Sequence, residues 1–417
     1  AAPCDPGNNS KSNQLRMFRS LHTCAQSLRC DTTLANGQCF GWTKTGHLEW
    51  TGVIGKAVIR LRQAPDDTLF CILNKSSTNS SEARMAETLH RYFNLQHDLS
   101  AMYTAWSQSD ERFQMLAGFF PGIRLICQDP VECVFSFICS SNNNIGRITK
   151  MLTSLREKYG ESLTVSDEFK CAEKFYSFPS VNSLAKIEED DLRELGFGYR
   201  AKYVIETAKA LDKLNTRLRL QHPQNSSNWL ESLRGRSRDE IQRELLQLHG
   251  IGRKVADCIS LFSLDVFDAV PVDTHVLQIA VRNYGFPVLK SKTLTEPAYR
   301  QIGDIFRSKF GRYAGWAHSV LFTAELPLYS QRLSPELRFQ SQPKKENEIQ
   351  RASSPCSLPE RLIHTVKNSK NRPKSARKVP LERKRKFPST SLSSGNIASR
   401  LRKRPESNAD MSVPPSS

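Results

Sequence analysis

The segment SRDEIQRELLQLHGIGRKVADCISLFSL, which begins at Ser237, constrains the fold of this chain more than any other stretch. Ser237 and Glu240 have the spacing of a capping box, and apolar residues then recur at three- and four-residue intervals. Gly250 and Gly252 interrupt this helix, and the helical periodicity resumes directly after them. The pattern predicts a helix over residues 238–248, a tight glycine turn and a second helix.

The glycine turn allows two interpretations. Backbone N–H groups at Gly250, Gly252 and Val255 can hold a DNA phosphate without any base being read, whereas the alternative is a compact connection between helices. Lys254 opens the second helix, where the helix dipole disfavours positive charge, and a neutral lysine is a nucleophile. A lysine that only contacts phosphate would give the same pattern.

Asp273 stands directly before another helical run, in AVPVDTHVLQIAVRNYG. Aspartate is among the best N-cap residues, and a cap needs no catalytic purpose. A capping carboxylate is also kept ionised and immobile by N–H groups, which suits a residue that stabilises a cation or handles a proton. Both interpretations remain open on these residues alone.

The charge of the chain is +18 at pH 7 and is concentrated at the C-terminal end. Residues 331–417 carry 20 Lys/Arg against 7 Asp/Glu, and ERKRKFP at 382–388 and LRKRP at 401–405 are basic clusters. Such clusters are typical of nuclear import signals or non-specific DNA contacts, although a solubilising tail has the same composition. We therefore expect a polyanionic partner, most commonly nucleic acid, and the nucleus as the location, with a mitochondrial form left open.

The eleven cysteines include no C-x-x-C pair, which disfavours a disulfide framework and a zinc site. Only Cys356 follows Asp273, so four cysteines for an iron–sulfur cluster are lacking there. We expect no metal and no cofactor. The longest apolar runs are far shorter than a membrane span, so we also expect a soluble protein without a membrane partner. We further expect a monomer.

The rhythm of apolar residues divides the chain into four parts. Residues 1–13 are rich in turn formers and are predicted to be disordered. Within 14–120, the runs HLEWTGVI, AVIRLRQA and TLFCIL alternate apolar and polar residues and predict an antiparallel sheet. Residues 121–328 are predicted to be mainly helical, and residues 329–417 to form a disordered basic tail. The expected fold class is α+β.

Several motifs carry a resemblance to a known family. LHGIGRKVADCISL and DAVPVDTH resemble the helix-hairpin-helix, Gly-Pro-Asp superfamily of DNA glycosylases. SFICSSNNNIGRI, LGFGYRAKYV and YAGWAHSVLFTAEL are similar to the eukaryotic 8-oxoguanine DNA glycosylases, over about residues 15–326. The resemblance implies that 8-oxoguanine opposite cytosine, and also ring-opened guanine, is flipped out of the duplex and excised. It further implies double-stranded DNA as the partner and β-elimination at the abasic site.

The same resemblance implies roles for individual residues. Lys254 occupies the position of the nucleophile that forms a Schiff base with the sugar, and Asp273 that of the essential carboxylate. The implied pocket for the flipped base consists of Gly37, Cys258, Pro271, Asp273, His318 and Phe322. The implied DNA contacts are Asn142 in the gap left by the base, Arg147 and Arg200 on the orphaned cytosine, Tyr199 as a wedge and His275 on a phosphate.

Two positions depart from the family pattern. His318 stands where the family usually has a glutamine that reads the pairing edge of the base, and Gly41 stands where a larger residue is usual. Neutral histidine offers one donor and one acceptor, so we expect excision of 8-oxoguanine with weaker rejection of related purines. We also expect a pH dependence near the ordinary histidine pKa of about 6.5.

Two alternatives stay open from the sequence. One is a related helix-hairpin-helix glycosylase with a different lesion specificity. The other is a non-catalytic DNA-binding module that has kept only the hairpin, and it predicts that Lys254 and Asp273 are dispensable.

Overall fold

A computed structural model describes the chain over residues 17–74, 79–169, 173–224, 228–289 and 294–337. The predicted disorder of residues 1–13 lies outside these ranges, as does that of the tail 329–417 from residue 338 onward, together with both basic clusters. Residues 329–337 correct the prediction, because Tyr329 and Leu333 are buried in a hydrophobic core. No helix within the described ranges is long and apolar enough to cross a membrane.

The N-terminal part forms a five-stranded antiparallel sheet with the strand order β1-β5-β4-β3-β2. Its strands are β1 (Arg19–Ser20), β2 (Trp42–Gly46), β3 (Glu49–Ile54), β4 (Ala57–Gln63) and β5 (Thr68–Ile72). The register places Trp50, Leu61 and Phe70 in one row across three strands, and all three side chains are buried. The alternating pattern predicted the sheet correctly, because one face of each strand is buried in the core and the other is exposed to solvent.

Helices dominate the rest of the described chain, as predicted. They are α1 (Cys30–Thr33), α2 (Asn79–Tyr92), α3 (Leu99–Ser109), α4 (Glu111–Ala117), α5 (Pro130–Ile138), α6 (Ile145–Tyr159), α7 (Val181–Ala185), α8 (Glu189–Glu194), α9 (Arg200–Gln221), α10 (Arg238–Leu245), α11 (Arg253–Ser263), α12 (Thr274–Asn283), α13 (Glu296–Phe310), α14 (Ala314–Glu325) and α15 (Pro327–Ser330). The short strands β6 (Ser162–Leu163) and β7 (Phe175–Tyr176) pair within this region and had not been predicted.

Two hydrophobic cores hold these elements. The sheet packs its buried face on α2, whereas α3 and α4 pack with the later helices in the larger core. The predicted domain boundary at residue 120 stays a prediction. Helices α3 and α4 precede it in the chain but pack with the helices that follow it. Gln38 links the two parts, because its side-chain amide donates to the carbonyls of Thr33 and Arg124 and its oxygen accepts from Ile126 N. These bonds fix the loop next to Gly37 against the helical region.

The helix-hairpin-helix is present as α10, a glycine turn and α11. The capping box of Ser237 and Glu240 forms as predicted. The first helix ends at Leu245 rather than at residue 248, because the chain tightens into successive turns before Gly250.

Candidate active site and DNA interface

The glycine turn is held tightly against helix α9. Gly250 has φ +74°, and a Cβ atom at this position would lie 2.6 Å from Cγ of Tyr203. Thr207 adds a hydrogen bond from its hydroxyl to the carbonyl of His249, at 2.7 Å. Any side chain at residue 250 would therefore push α9 away and move the start of α11.

The start of α11 leaves its first amides without a side-chain cap, because the N-cap residue is Gly252. Gly252 is exposed and faces open space, so an anion can approach these amides. Val255 buries its side chain in the core, with 5% exposed, so its predicted DNA contact is possible only through the backbone N–H. Lys254 is half-buried, and its Nζ lies 5.4 Å from the ring centre of Phe137.

Asp273 is the N-cap of α12, as its position predicted. Its Oδ1 accepts from the backbone amides of His275 at 2.9 Å and Val276 at 3.0 Å. These two hydrogen bonds fix the position of the carboxylate at the start of the helix. Asp273 and Lys254 both line the same cavity and the groove that leads from it.

This cavity brings together all six residues predicted for the base pocket. It measures about 50 Å³, which is space for one or two water molecules. The cavity opens onto the groove, with which it shares Gly37, Lys254, Asp273 and Phe322. The lining consists of Asn36, Gly37, Gln38, Phe137, Lys254, Cys258, Phe262, Pro271, Asp273, His318, Ser319 and Phe322.

Gly37 forms the mouth of the cavity on the side of the sheet domain. It has φ +90°, and a Cβ atom there would approach Cδ1 of Ile145 to 3.1 Å. The neighbouring Asn36 donates from Nδ2 to the hydroxyl of Thr323 on α14, at 3.2 Å. The Gly37 backbone is thereby fixed relative to the helix that carries the opposite wall.

The floor of the cavity is apolar. The rings of Phe137 and Phe262 stack with centres 5.5 Å apart. Cys258 is 2% exposed, and burial raises the pKa of its thiol to about 11, although the Lys254 ammonium favours the thiolate. The thiol is therefore neutral near pH 7 and provides a polarisable contact surface.

His318 forms one wall and has an unusual environment. It is 4% exposed, its ring stacks on Phe322 with centres 6.0 Å apart, and the edge of Phe306 packs on it at 5.9 Å. Within the described part of the chain, neither ring nitrogen has a hydrogen-bond partner. Burial lowers the pKa of His318 to about 4, and the Asp273 carboxylate and the backbone of Gly315 only partly oppose this shift. The predicted titration near pH 6.5 is therefore wrong, because burial disfavours the charged ring.

A groove continues from the cavity along the loop before α6 and the starts of α11 and α12. Asn142 is exposed in this loop with φ +48°, a left-handed conformation that asparagine tolerates better than most residues. Asn144 caps α6 by accepting from Arg147 N at 2.9 Å. The Arg147 side chain is exposed and donates to the carbonyl of Gly196 at 3.3 Å.

The turn before α9 is joined to the same loop. Tyr199 is 48% exposed, and its hydroxyl donates to the carbonyl of Ser141 at 3.1 Å. Arg200 is only 2% exposed, and its guanidinium donates to the carbonyls of Ser141 and Asn142. Without DNA its donors hold the loop that presents Asn142, and the predicted contact of Arg200 with an orphaned cytosine stays a prediction. Tyr199 and Arg147 do reach the surface.

His275 lies at the groove beside the cavity, with its ring 5.8 Å from that of Phe322. Its backbone amide donates a hydrogen bond to the Asp273 carboxylate. Its half-buried side chain faces the groove, where it could contact a phosphate.

Comparisons with known proteins identify the family of this chain. Residues 20–134 match the family described as 8-oxoguanine DNA glycosylase, N-terminal domain, and residues 135–302 match the HhH-GPD superfamily of base excision DNA repair proteins. The N-glycosylase/DNA lyase OGG1 of Arabidopsis thaliana is 41% identical over 71% of this chain and 76% of its own length. The chain belongs to the eukaryotic 8-oxoguanine DNA glycosylase family. It is accordingly an enzyme of the N-glycosylase and DNA lyase class.

The chain is also similar to a yeast enzyme and to a bacterial enzyme of known structure. The N-glycosylase/DNA lyase of Saccharomyces cerevisiae is 35% identical over 74% of this chain and 86% of its own length. The Clostridium acetobutylicum 8-oxoguanine glycosylase/lyase, in complex with duplex DNA containing cytosine opposite 8-oxoguanine, is 30% identical with a TM-score of 0.59. That alignment covers 71% of this chain and 91% of the bacterial one.

Several pocket residues of this glycosylase were missed by the sequence reasoning. Phe137 and Phe262 lie in apolar runs that read as ordinary core, and Asn36 lies in a loop far from the hairpin. Only the folded chain brings them to Lys254. Over the described ranges, no three His, Cys, Asp or Glu side chains are grouped so that they could hold a metal ion.

Proposed function

We propose that this glycosylase excises 8-oxoguanine opposite cytosine from duplex DNA, with Lys254 as the nucleophile and a Schiff base as the intermediate. The observation that carries the proposal is that Lys254 and Asp273 line one cavity, which opens onto a groove. The Asp273 carboxylate is held there by two backbone amides. The bacterial relative bound to DNA with cytosine opposite 8-oxoguanine supports the same substrate.

In the proposed reaction, the unprotonated Nζ of Lys254 attacks C1′ of the damaged nucleotide as the bond from C1′ to N9 of the base breaks. The departing base takes the bonding electrons, and Nζ loses a proton. The fixed carboxylate of Asp273 stabilises the positive charge that develops at the sugar. Ring opening of the sugar gives the protonated imine, and loss of a C2′ proton then expels the 3′ phosphate, which is the lyase step.

Recognition of the base is proposed to use both walls of the cavity. The Gly37 carbonyl would accept from the N7–H that 8-oxoguanine has and guanine lacks, a bond worth roughly 0.5 to 1.5 kcal/mol. Cys258 and Phe322 would contact the two faces of the base, and Pro271 its edge. His318 would supply one donor or acceptor to the pairing edge, which supports a broader lesion range than a glutamine would give.

DNA is proposed to lie along the groove, held by phosphate contacts at the α11 amides and His275. Asn142 would fill the gap left by the flipped base, with Tyr199 wedged beside it and Arg147 on the cytosine. For Arg200 we propose a supporting role, because it braces the Asn142 loop. The basic clusters at 382–388 and 401–405 support a nuclear location as part of this proposal.

The test is a panel of duplexes incubated with the purified enzyme, with and without borohydride. The panel places 8-oxoguanine opposite each of the four bases, and it includes ring-opened guanine and undamaged guanine opposite cytosine. The proposal predicts the fastest release of 8-oxoguanine opposite cytosine, slower release of ring-opened guanine and a trapped covalent adduct. Equal release opposite all four bases, or a preference for another lesion, would favour the related glycosylase of different specificity.

A further inference from the structure

A buried chain of hydrogen bonds runs behind the cavity. Asp257 lies on α11, one turn after Lys254, and is 4% exposed. Its Oδ1 accepts from Nε2 of Gln242 on α10 at 2.9 Å, and its Oδ2 accepts from the hydroxyl of Tyr299 on α13 at 2.6 Å. The helix that carries Lys254 thus also carries a buried carboxylate, although an apolar residue at such a position often makes a protein equally stable or more stable.

The chain continues from α13 to the other side of the site. The hydroxyl of Tyr299 accepts from the backbone N–H of Val272 at 3.2 Å. Val272 is buried and directly precedes Asp273, so the hydrogen bond of its amide fixes the position of the backbone at the start of α12. Tyr299 is therefore bonded both to the helix of Lys254 and to the segment of Asp273, and it also borders the groove.

We propose that Asp257 and Tyr299 are positioning residues for base excision, which hold Asp273 in register with Lys254 through Val272. The inference rests on the proposed roles of Lys254 and Asp273. Neither Asp257 nor Tyr299 lines the base cavity, so they act on the reaction through the groups that they hold.

The ionised form of Asp257 is the one that fits its two donors. Burial raises the pKa of this carboxyl to about 6, against the opposing hydrogen bonds from Tyr299 and Gln242 and the charges of Arg238 on α10 and Arg307 on α13. A second cavity between α10 and α13 reaches Asp257, so water can deliver a proton there. Protonation removes an acceptor and loosens the Tyr299 hydroxyl, so the excision rate should fall as the pH drops through about 6.

The decisive variant is Tyr299→Phe, which keeps the ring and removes the hydroxyl. Single-turnover release of 8-oxoguanine from a duplex with cytosine should slow about tenfold to a hundredfold, since a small displacement of a catalytic group has that effect. Binding of the same duplex should change by less than about threefold, because uniform binding contacts are kept. The matched control is Tyr284→Phe, which removes the bond from a tyrosine hydroxyl to Asp110 Oδ1 at the other end of α12.

The control should lose stability without losing excision rate. A second variant, Asp257→Asn, should be slower at pH 7.5 and should lack the fall in rate through pH 6 that the unsubstituted enzyme shows. The inference is overturned if Tyr299→Phe excises at the unsubstituted rate, if both tyrosine variants slow equally, or if Asp257→Asn keeps the same pH step. Absence of both base release and borohydride trapping in the unsubstituted enzyme would instead overturn the proposed function, and the inference with it.

Discussion

Replacing His318 by phenylalanine should stabilise the free glycosylase while impairing its recognition of the damaged base. The ring lies in an aromatic pocket between Phe306 and Phe322, and both of its nitrogens are buried without a partner among the described residues. A phenyl ring keeps the aromatic packing and removes two polar atoms that are shielded from water. The adjoining cavity accepts the small increase in volume.

The magnitude follows from the burial. A buried polar group without a hydrogen bond costs about 1 to 3 kcal/mol, so His318→Phe should raise the free energy of unfolding at pH 7.5 by about that amount. The gain should grow in acid. The pKa of His318 is lowered to about 4 in the folded chain, so below about pH 6.5 only the unfolded chain takes up this proton. Proton uptake by the unfolded chain therefore lowers the free energy of unfolding of the unsubstituted enzyme as the pH falls from about 6.5 to 4, by on the order of 3 kcal/mol in all.

The assay is urea unfolding of both proteins at pH 7.5, 6 and 5, followed by single-turnover excision on the lesion panel. His97→Phe is a matched control, because His97 packs against aromatic rings but its Nδ1 lies 3.2 Å from the hydroxyl of Tyr313. That variant loses a satisfied bond and should be destabilised by about 1 kcal/mol. His318→Gln should restore the donor and acceptor pair and sharpen the preference for 8-oxoguanine over ring-opened guanine.

The reasoning about the pocket is refuted by two results. One is a His318→Phe protein that is less stable than the unsubstituted enzyme at every pH, as a satisfied histidine would give. The other is an unchanged lesion spectrum in both the phenylalanine and the glutamine variants, which would mean that residue 318 does not contact the base.

Two further predictions test the DNA interface. Removing residues 338–417 should leave excision intact. It should flatten the slope of log affinity against log salt by about 0.9 for each DNA phosphate that the tail neutralises. An unchanged slope would mean that the tail has no role in binding. Gly250→Ala should destabilise the protein and weaken DNA binding because its Cβ would meet Tyr203, whereas Gly235→Ala, also at positive φ but facing open space, should cost only the backbone strain of about 1 to 2 kcal/mol. Equal destabilisation of the two alanine variants in denaturant titrations would contradict the packing argument.

Local features of this chain were predictable because their causes are local. The capping box at Ser237, the N-cap at Asp273 and the three strands of alternating residues each depend on side chains a few positions apart. The family resemblance added the role of each pocket position, and the folded chain brings those positions to one cavity.

The remaining features depend on contacts between distant segments. Arg200 looked like an exposed DNA contact, but it is buried because the carbonyls of Ser141 and Asn142, about 60 residues earlier in the chain, need donors. The lowered pKa of His318 likewise results from rings contributed by other parts of the fold. The hydrogen bond from the backbone N–H of Val272 to the hydroxyl of Tyr299 joins residues 27 positions apart and leaves no periodic signal in the sequence.

The most direct test of the proposed mechanism is borohydride trapping on an 8-oxoguanine duplex with the Lys254→Gln variant. Lys186→Gln is the control, since Lys186 is exposed and lies away from the cavity and the groove. The account predicts that the unsubstituted and Lys186→Gln proteins release the base and form the covalent adduct, whereas Lys254→Gln binds the duplex but does neither. A trapped adduct or undiminished base release with Lys254→Gln would contradict the assignment of Lys254 as the nucleophile.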